Sequence, residues 1–152
     1  MRKLQIVPKS EKETLKTYLN NYLIELSQFD PTIKFDKFGL PVYKWFDCYW
    51  EDKTRYPIYL IVEGKVAGFA LIRELNDKQF EIAEFFVTPS FRENGNALWF
   101  ASSVTDLFGG QFEFSTRVEN LRAIKFWDKF TKKQNNAFSE VKKNYKSWVI
   151  KF

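Results

Sequence analysis

The stretch that most constrains this chain runs from Phe80 to Ala97. Phe80-Glu81-Ile82-Ala83-Glu84-Phe85-Phe86-Val87 is dense in aromatic and apolar residues, with two glutamates as its only charges, and it predicts a buried strand. Thr88-Pro89 ends the strand, because proline has no N–H to give to a sheet ladder. Arg92-Glu93-Asn94-Gly95-Asn96-Ala97 then opens an apolar helical run. Strand, basic turn with a glycine, helix is an order that makes an anion site. The first N–H groups of a helix carry partial positive charge, and a glycine lets the backbone close on a phosphate with no Cβ in the way. An ordinary tight turn is the competing reading.

The chain has 152 residues, of which 45% are hydrophobic and 17 are Phe, enough for one domain over residues 1–152 with a full core. Apolar runs such as Ile58 to Val62 are too short to span a membrane, and Met1-Arg2-Lys3 lacks the apolar stretch of a signal peptide. A soluble, cytoplasmic protein is expected. The lone Cys48 excludes an internal disulfide, in keeping with a reducing compartment. The absence of histidine removes Ser-His-Asp and Cys-His mechanisms and the usual zinc sites, so no metal is expected and general-base work falls to a carboxylate. A net charge of +5 favours an anionic partner, either a nucleotide-bearing cofactor or RNA.

Along the chain, Leu4 to Val7 alternates as a short strand. Ser10 and Glu13 have the spacing of a capping box for a helix from Glu11 to Gln28, whose face carries Leu15, Tyr18, Leu19, Tyr22, Leu23 and Leu26. Periodicity is poor from Thr32 to Tyr56, although Val42 to Trp50 is rich in aromatics and predicts a short helix. Its rings either pack on the sheet or line an acceptor pocket as a cage for a cation. Pro57 to Val62 and Val66 to Arg73 form a hairpin, and Asn76-Asp77 turns the second strand into the Phe80 strand. A helix from Asn96 to Phe108 stops at Gly109-Gly110. A strand from Phe112 to Val118, a helix from Asn120 to Thr131 and a strand from Ser147 to Phe152 complete the order.

Two motifs in this frame carry a family resemblance. Arg92, Gly95 and Ala97, directly after a strand ending in Val87-x-Pro89, fill the pattern Arg or Gln, two residues, Gly, one residue, Gly or Ala. That pattern resembles the acyl-CoA-binding motif of the GNAT N-acetyltransferases. Downstream, Asn120-Leu121-Arg122-Ala123-Ile124-Lys125-Phe126-Trp127 is similar to the family's Asn-x-x-Ala-x-x-Phe-Tyr helix, with Trp127 in place of the tyrosine. The element order resembles the GNAT fold over nearly the whole chain, and within the family a bacterial group of small acetyltransferases. The fold so implied is α+β (mixed α/β), with a central, mostly antiparallel sheet that splays at its core strand and is flanked by helices.

The resemblance implies acetyl-CoA as co-substrate and a primary amine, on a small molecule or a protein, as acceptor. Amides from Glu93 through Asn94, Gly95 and Asn96 to Ala97 would receive the CoA pyrophosphate, and the backbone of Phe86 and Val87 would pair with pantetheine. One of those two N–H groups would stabilise the tetrahedral oxyanion. Because an amine arrives mostly protonated at neutral pH, a base is required, and Glu81 and Glu84 are the candidates. Being three positions apart, they are expected on opposite faces of the strand. Glu81 is preferred, since it lies eleven residues before Arg92, where histone-acetylating members resemble this chain in carrying their base. Glu84, among apolar neighbours, is expected to have a raised pKa. The resemblance puts the family's proton donor at Trp127, where an indole cannot supply it, so Tyr145 or Tyr59 is a substitute, or Trp127 simply packs. Asn120 either caps its helix or touches the cofactor. A CoA-binding module without turnover and an acetyltransferase acting on aminoacyl-tRNA are the alternatives. The oligomeric expectation is monomer or homodimer.

Overall fold

A computed structural model describes all residues from Met1 to Phe152. In chain order the elements are β1 (Arg2–Ile6), α1 (Lys12–Leu26), α2 (Cys48–Glu51), β2 (Arg55–Val62), β3 (Lys65–Asn76), β4 (Gln79–Val87), α3 (Asn96–Phe108), β5 (Gln111–Arg117), α4 (Leu121–Lys132), β6 (Ala137–Lys142) and β7 (Tyr145–Lys151). The strands form one sheet in the order β1-β2-β3-β4-β5-β7-β6. Every pairing is antiparallel except that of β4 with β5. The mixed α/β, mostly antiparallel architecture of the expectation is therefore found. No helix is long and apolar enough to cross a membrane.

Both faces of the sheet centre are covered, which is why β2 and β3 read as nearly unbroken apolar runs. Ile58, Leu60, Ala70 and Ile72 face Phe100 and Val104 of α3 and Trp127 and Phe130 of α4. Their alternate neighbours Tyr59, Ile61, Phe69 and Leu71 face Leu15, Leu19 and Leu23 of α1 and Tyr49 of α2. The apolar face expected for α1 is thus the face it buries.

Four local expectations are corrected. Lys9–Glu11 forms a 3₁₀ turn and α1 begins only at Lys12, with no side-chain cap, so the Ser10–Glu13 capping box does not form. The aromatic segment Val42 to Trp50 contributes only the start of a single helical turn, Cys48–Glu51, because Phe46 and Tyr49 are held by burial against the sheet rather than by a regular helix. A strand absent from the sequence reading, β6, pairs along β7. The fourth correction lies in β4. Leu71 pairs with Glu84 and Ile72 with Ile82, so Ala83 is an extra residue, a β-bulge. A bulge shifts the alternation by one, so Glu81 and Glu84 share a face instead of occupying opposite ones.

Close approach of β3 to β4 sets the geometry beyond the bulge. A Cβ on Gly68 would lie 2.2 Å from the Phe86 carbonyl oxygen and 3.0 Å from Val87 Cα, both backbone atoms that cannot step aside singly. Gly68→Ala is expected to cost about 1–3 kcal/mol and to lower Tm by roughly 5 °C. A calorimetric Tm within a degree of wild type would show that β4 is free to move there.

Candidate active site

The turn between β4 and α3 exposes backbone rather than side chains. Asn94 (φ 64°) and Gly95 (φ 73°) are both left-handed, and Gly95 precedes the first helical residue. The first backbone bond of α3 is Trp99 N–H to Gly95 C=O at 3.0 Å, and the six N–H groups from Glu93 to Leu98 donate to no backbone carbonyl. Free amides at a helix start suit a diphosphate, and the left-handed conformation at Gly95 is one that glycine adopts without a Cβ penalty.

Side chains of the motif hold this turn in place. Arg92 donates through Nε to the Val87 carbonyl at 2.8 Å, and its other end pairs with Glu25 of α1 at 2.9 Å. Asn96 is buried, donates to Phe91 C=O at 2.9 Å and accepts from Arg2 Nε at 2.8 Å. Arg2 also donates to the Asn94 carbonyl. The side chains of Arg92 and Asn96 thus lock the turn, and the N–H groups from Glu93 to Leu98 are left for a ligand. Arg2 and Glu25, more than 65 residues away from their partners here, carry no local signal in the sequence.

β4 also presents an open edge. It pairs with β5 only from Gln79 to Glu81, so the two strands diverge beyond Glu81. Thr88 N–H bonds to Ala67 C=O at 2.8 Å, and alternation then directs the Phe86 peptide to β3 and those of Val87 and Phe85 into the gap. The Val87 N–H therefore faces the gap. The Phe86 backbone is engaged with β3 and its ring lies with the α1 core, so it is the Phe85 peptide that faces the gap beside that of Val87.

Three hollows meet along this gap. A groove of about 280 Å³ runs from Ala97 and Arg92 past Val87 and Phe85, between Tyr22 of α1 and Ala123 of α4. A neck of about 70 Å³ lies between the diverging strands, lined by Tyr22, Ala83, Glu84, Phe114, Ser115 and Trp127. A third cavity of about 350 Å³ opens beyond it, lined by Tyr43, Tyr49, Arg55, Arg73, Glu81 and Glu84. Glu84 belongs to both the neck and the third cavity.

The two glutamates differ in environment. Tyr22 Oη donates to Glu84 Oε1 at 2.8 Å and Tyr43 Oη to Oε2 at 2.9 Å. Burial pushes the Glu84 carboxyl up to about 7, the two hydroxyl bonds pull the other way, and Glu81 adds a small upward push. Burial and the adjacent carboxylate push the Tyr22 and Tyr43 hydroxyls up in turn. Glu81 instead forms an ion pair with its cross-strand partner Arg73 at 3.0 Å. Sequence reasoning assigned Tyr22 to the helix core, and nothing in the poorly periodic Tyr43 segment marked it as a ligand of Glu84.

Asn120 caps α4 by accepting from Ala123 N–H at 3.3 Å, and it also lines the groove and the neck. Trp127 packs, with its ring 4.2 Å from that of Phe114 and 5.0 Å from that of Phe85. Neither proposed substitute for its missing hydroxyl reaches the neck. Tyr59 is fully buried, edge-on to Tyr18 under α1, and Tyr145 lines a separate surface hollow beside Lys142 and Asn144.

A sheet that opens at its centre over a turn of free amides is the frame of an acyltransferase. Residues 20–131 match the sequence profile described as the Acetyltransferase (GNAT) family, and the chain belongs to that family. No curated protein matches the sequence significantly. Among solved structures it is similar to a spermidine N-acetyltransferase from Vibrio cholerae in complex with CoA and spermine, with TM-score 0.71, 13% identity, and coverage of 99% of this chain and 95% of that one. It is also similar to an N-acetyltransferase from Staphylococcus aureus Mu50, with TM-score 0.65, 15% identity, and coverage of 100% and 98%. A ribosomal-protein-alanine N-acetyltransferase from Escherichia coli aligns with TM-score 0.68, 11% identity, and coverage of 99% and 94%. At these identities the likeness is one of fold.

Proposed function

We propose that this enzyme transfers an acetyl group from acetyl-CoA to a primary amine by direct attack in a ternary complex, with Glu84 as the base. The observation that carries this reading is the placement of Glu84 at the neck, between the groove that leads from the free amides and the cavity on the far side. The amides of Glu93 to Leu98 would hold the diphosphate, and the Val87 N–H and the Phe85 backbone would bond to the pantetheine arm, the Val87 carbonyl being held by Arg92. One N–H in the gap would then donate to the thioester oxygen as negative charge develops there.

Glu84 suits the base better than Glu81. A carboxyl near pH 7 is half ionised at neutral pH and takes a proton more readily than an ordinary carboxylate. Glu81 is committed to Arg73. The incoming ammonium loses one proton to Glu84, which returns it to water through the third cavity. As the C–N bond forms and the C–S bond breaks, the second proton leaves nitrogen for the departing thiolate. Tyr22, bonded to Glu84 and lining both neck and groove, stands where it can pass that proton on. Trp127 then needs no acid role.

Thiol release measured with acetyl-CoA and a panel of primary amines tests the proposal. Turnover should rise with pH through about 7, as Glu84 loses its proton. Acetyl-CoA binding with no transfer to any amine would favour a binding module instead. Tyr22→Phe removes a hydrogen bond to the ionised carboxylate, so the midpoint of the pH profile should move upward by about one unit. An unchanged midpoint would mean that Glu84 is not the titrating group.

A further inference from the structure

The cavity beyond the neck contains two guanidinium groups, and its own carboxylates neutralise only one of them. Arg73 is matched by Glu81 at 3.0 Å. Arg55, from the start of β2, has a side chain only 13% exposed, and its guanidinium lies 5.6 Å from the Trp45 ring centre and 5.4 Å from that of Tyr49. The sole carboxylate within reach of it is Asp52 at 3.7 Å, a half-exposed side chain whose other oxygen is taken by Thr54. Glu84 is held by its two tyrosines.

Beside Arg55 is a second incomplete group. Tyr49 is 3% exposed and lines the same cavity, yet its hydroxyl has no hydrogen-bond partner. Burial pushes that hydroxyl up to about 12, with Glu84 adding to the push and Arg55 and Tyr43 offsetting it, and all four residues line the one cavity. A buried donor with no acceptor is costly, and a guanidinium without a close carboxylate is a planar fork that fits one. An acceptor with a second cationic group would meet two arginines and no free carboxylate.

We propose that the acceptor is a small amine that carries its own carboxylate, as an amino acid does. Its amine reaches Glu84 at the neck, and its carboxylate is held by Arg55 and the Tyr49 hydroxyl. The inference rests on Glu84 and this cavity forming the acceptor side of the acetyl-transfer site. It separates this chain from a polyamine acetyltransferase with the same fold.

The test uses matched sets of α- and ω-amino acids, each with its carboxamide and its decarboxylated amine, in the thiol-release assay with acetyl-CoA. For wild type, kcat/KM should be at least tenfold higher for the acid than for its amide, mostly through KM. In Arg55→Gln that ratio should fall to within about twofold of unity, and in Tyr49→Phe, which keeps the ring, it should fall several-fold. An acetyl-CoA-induced rise in Tm checks that each variant is folded. Equal or better turnover of the amides, or a ratio that survives Arg55→Gln, overturns the proposal while leaving acetyl transfer intact. If no amine of any kind releases thiol, the transfer reading itself fails. The carboxylate site is then read by calorimetry of the same acids in the presence of CoA: binding to wild type and not to Arg55→Gln supports it, and no binding overturns it.

Discussion

Glu84→Gln is expected to lower kcat/KM by at least about a hundredfold, the usual range for loss of a positioned base. Glutamine keeps the shape of the side chain and still accepts from one tyrosine, so the loss should fall on chemistry and leave acetyl-CoA binding unchanged. The variant should also lose the pH dependence around 7. Stability should change in the opposite direction. The folded-state pKa of Glu84 lies above its ordinary value of 4.5, at about 7, so its stabilising contribution is complete below the unfolded pKa and is lost as pH rises through about 7. Above that pH the wild-type protein keeps an ionised carboxylate in a largely buried position. Glu84→Gln is therefore expected to be more stable than wild type at pH 8 by about 2 kcal/mol, a figure reduced for the water that reaches Glu84 through the cavity, and equal to it near pH 5. Urea titrations at the two pH values check this. A variant that is less stable at pH 8, or active with an unshifted profile, contradicts the role given to Glu84.

Ala97→Glu should separate folding from cofactor binding. Ala97 is the second residue of α3 and lines the groove. A carboxylate in the first turn of a helix interacts favourably with the macrodipole, by about 0.3–1 kcal/mol, so the fold should be unharmed or slightly firmer. The same carboxylate competes with a diphosphate for the free amides and repels it. Acetyl-CoA affinity should drop by about a hundredfold or more, close to 3 kcal/mol. A wild-type Kd by calorimetry in this variant would place the diphosphate elsewhere.

How much of this was readable before the structure depended on the range of the interactions. The strand, turn and helix around Gly95 were legible because proline, glycine and apolar spacing act locally, and the α1 face was legible for the same reason. β6 was not: most of its residues are exposed, and its conformation comes from pairing with β7 rather than from an apolar pattern. The positions of Arg92, Gly95 and Ala97 were apparent, but not that Arg92 and Asn96 would turn inward to Val87, Glu25 and Phe91. Those contacts belong to the tertiary arrangement. The bulge at Ala83 had the largest consequence. Strict alternation separates Glu81 from Glu84, and one extra residue places them in a single cavity, a change no periodicity count detects. Tyr22 and Tyr43 share that history, since an aromatic facing a sheet looks the same in sequence whether it fills a core or positions a carboxylate.

The central claim is that the amides at the start of α3 and the open edge of β4 together receive acetyl-CoA. A ¹H–¹⁵N NMR titration with CoA addresses it most directly. The account predicts that the largest amide shifts fall on Glu93 to Leu98, with a second set at Phe85 and Val87, and that the first set disappears in Ala97→Glu. Shifts centred on β6 and β7, or an unperturbed Gly95, would contradict it.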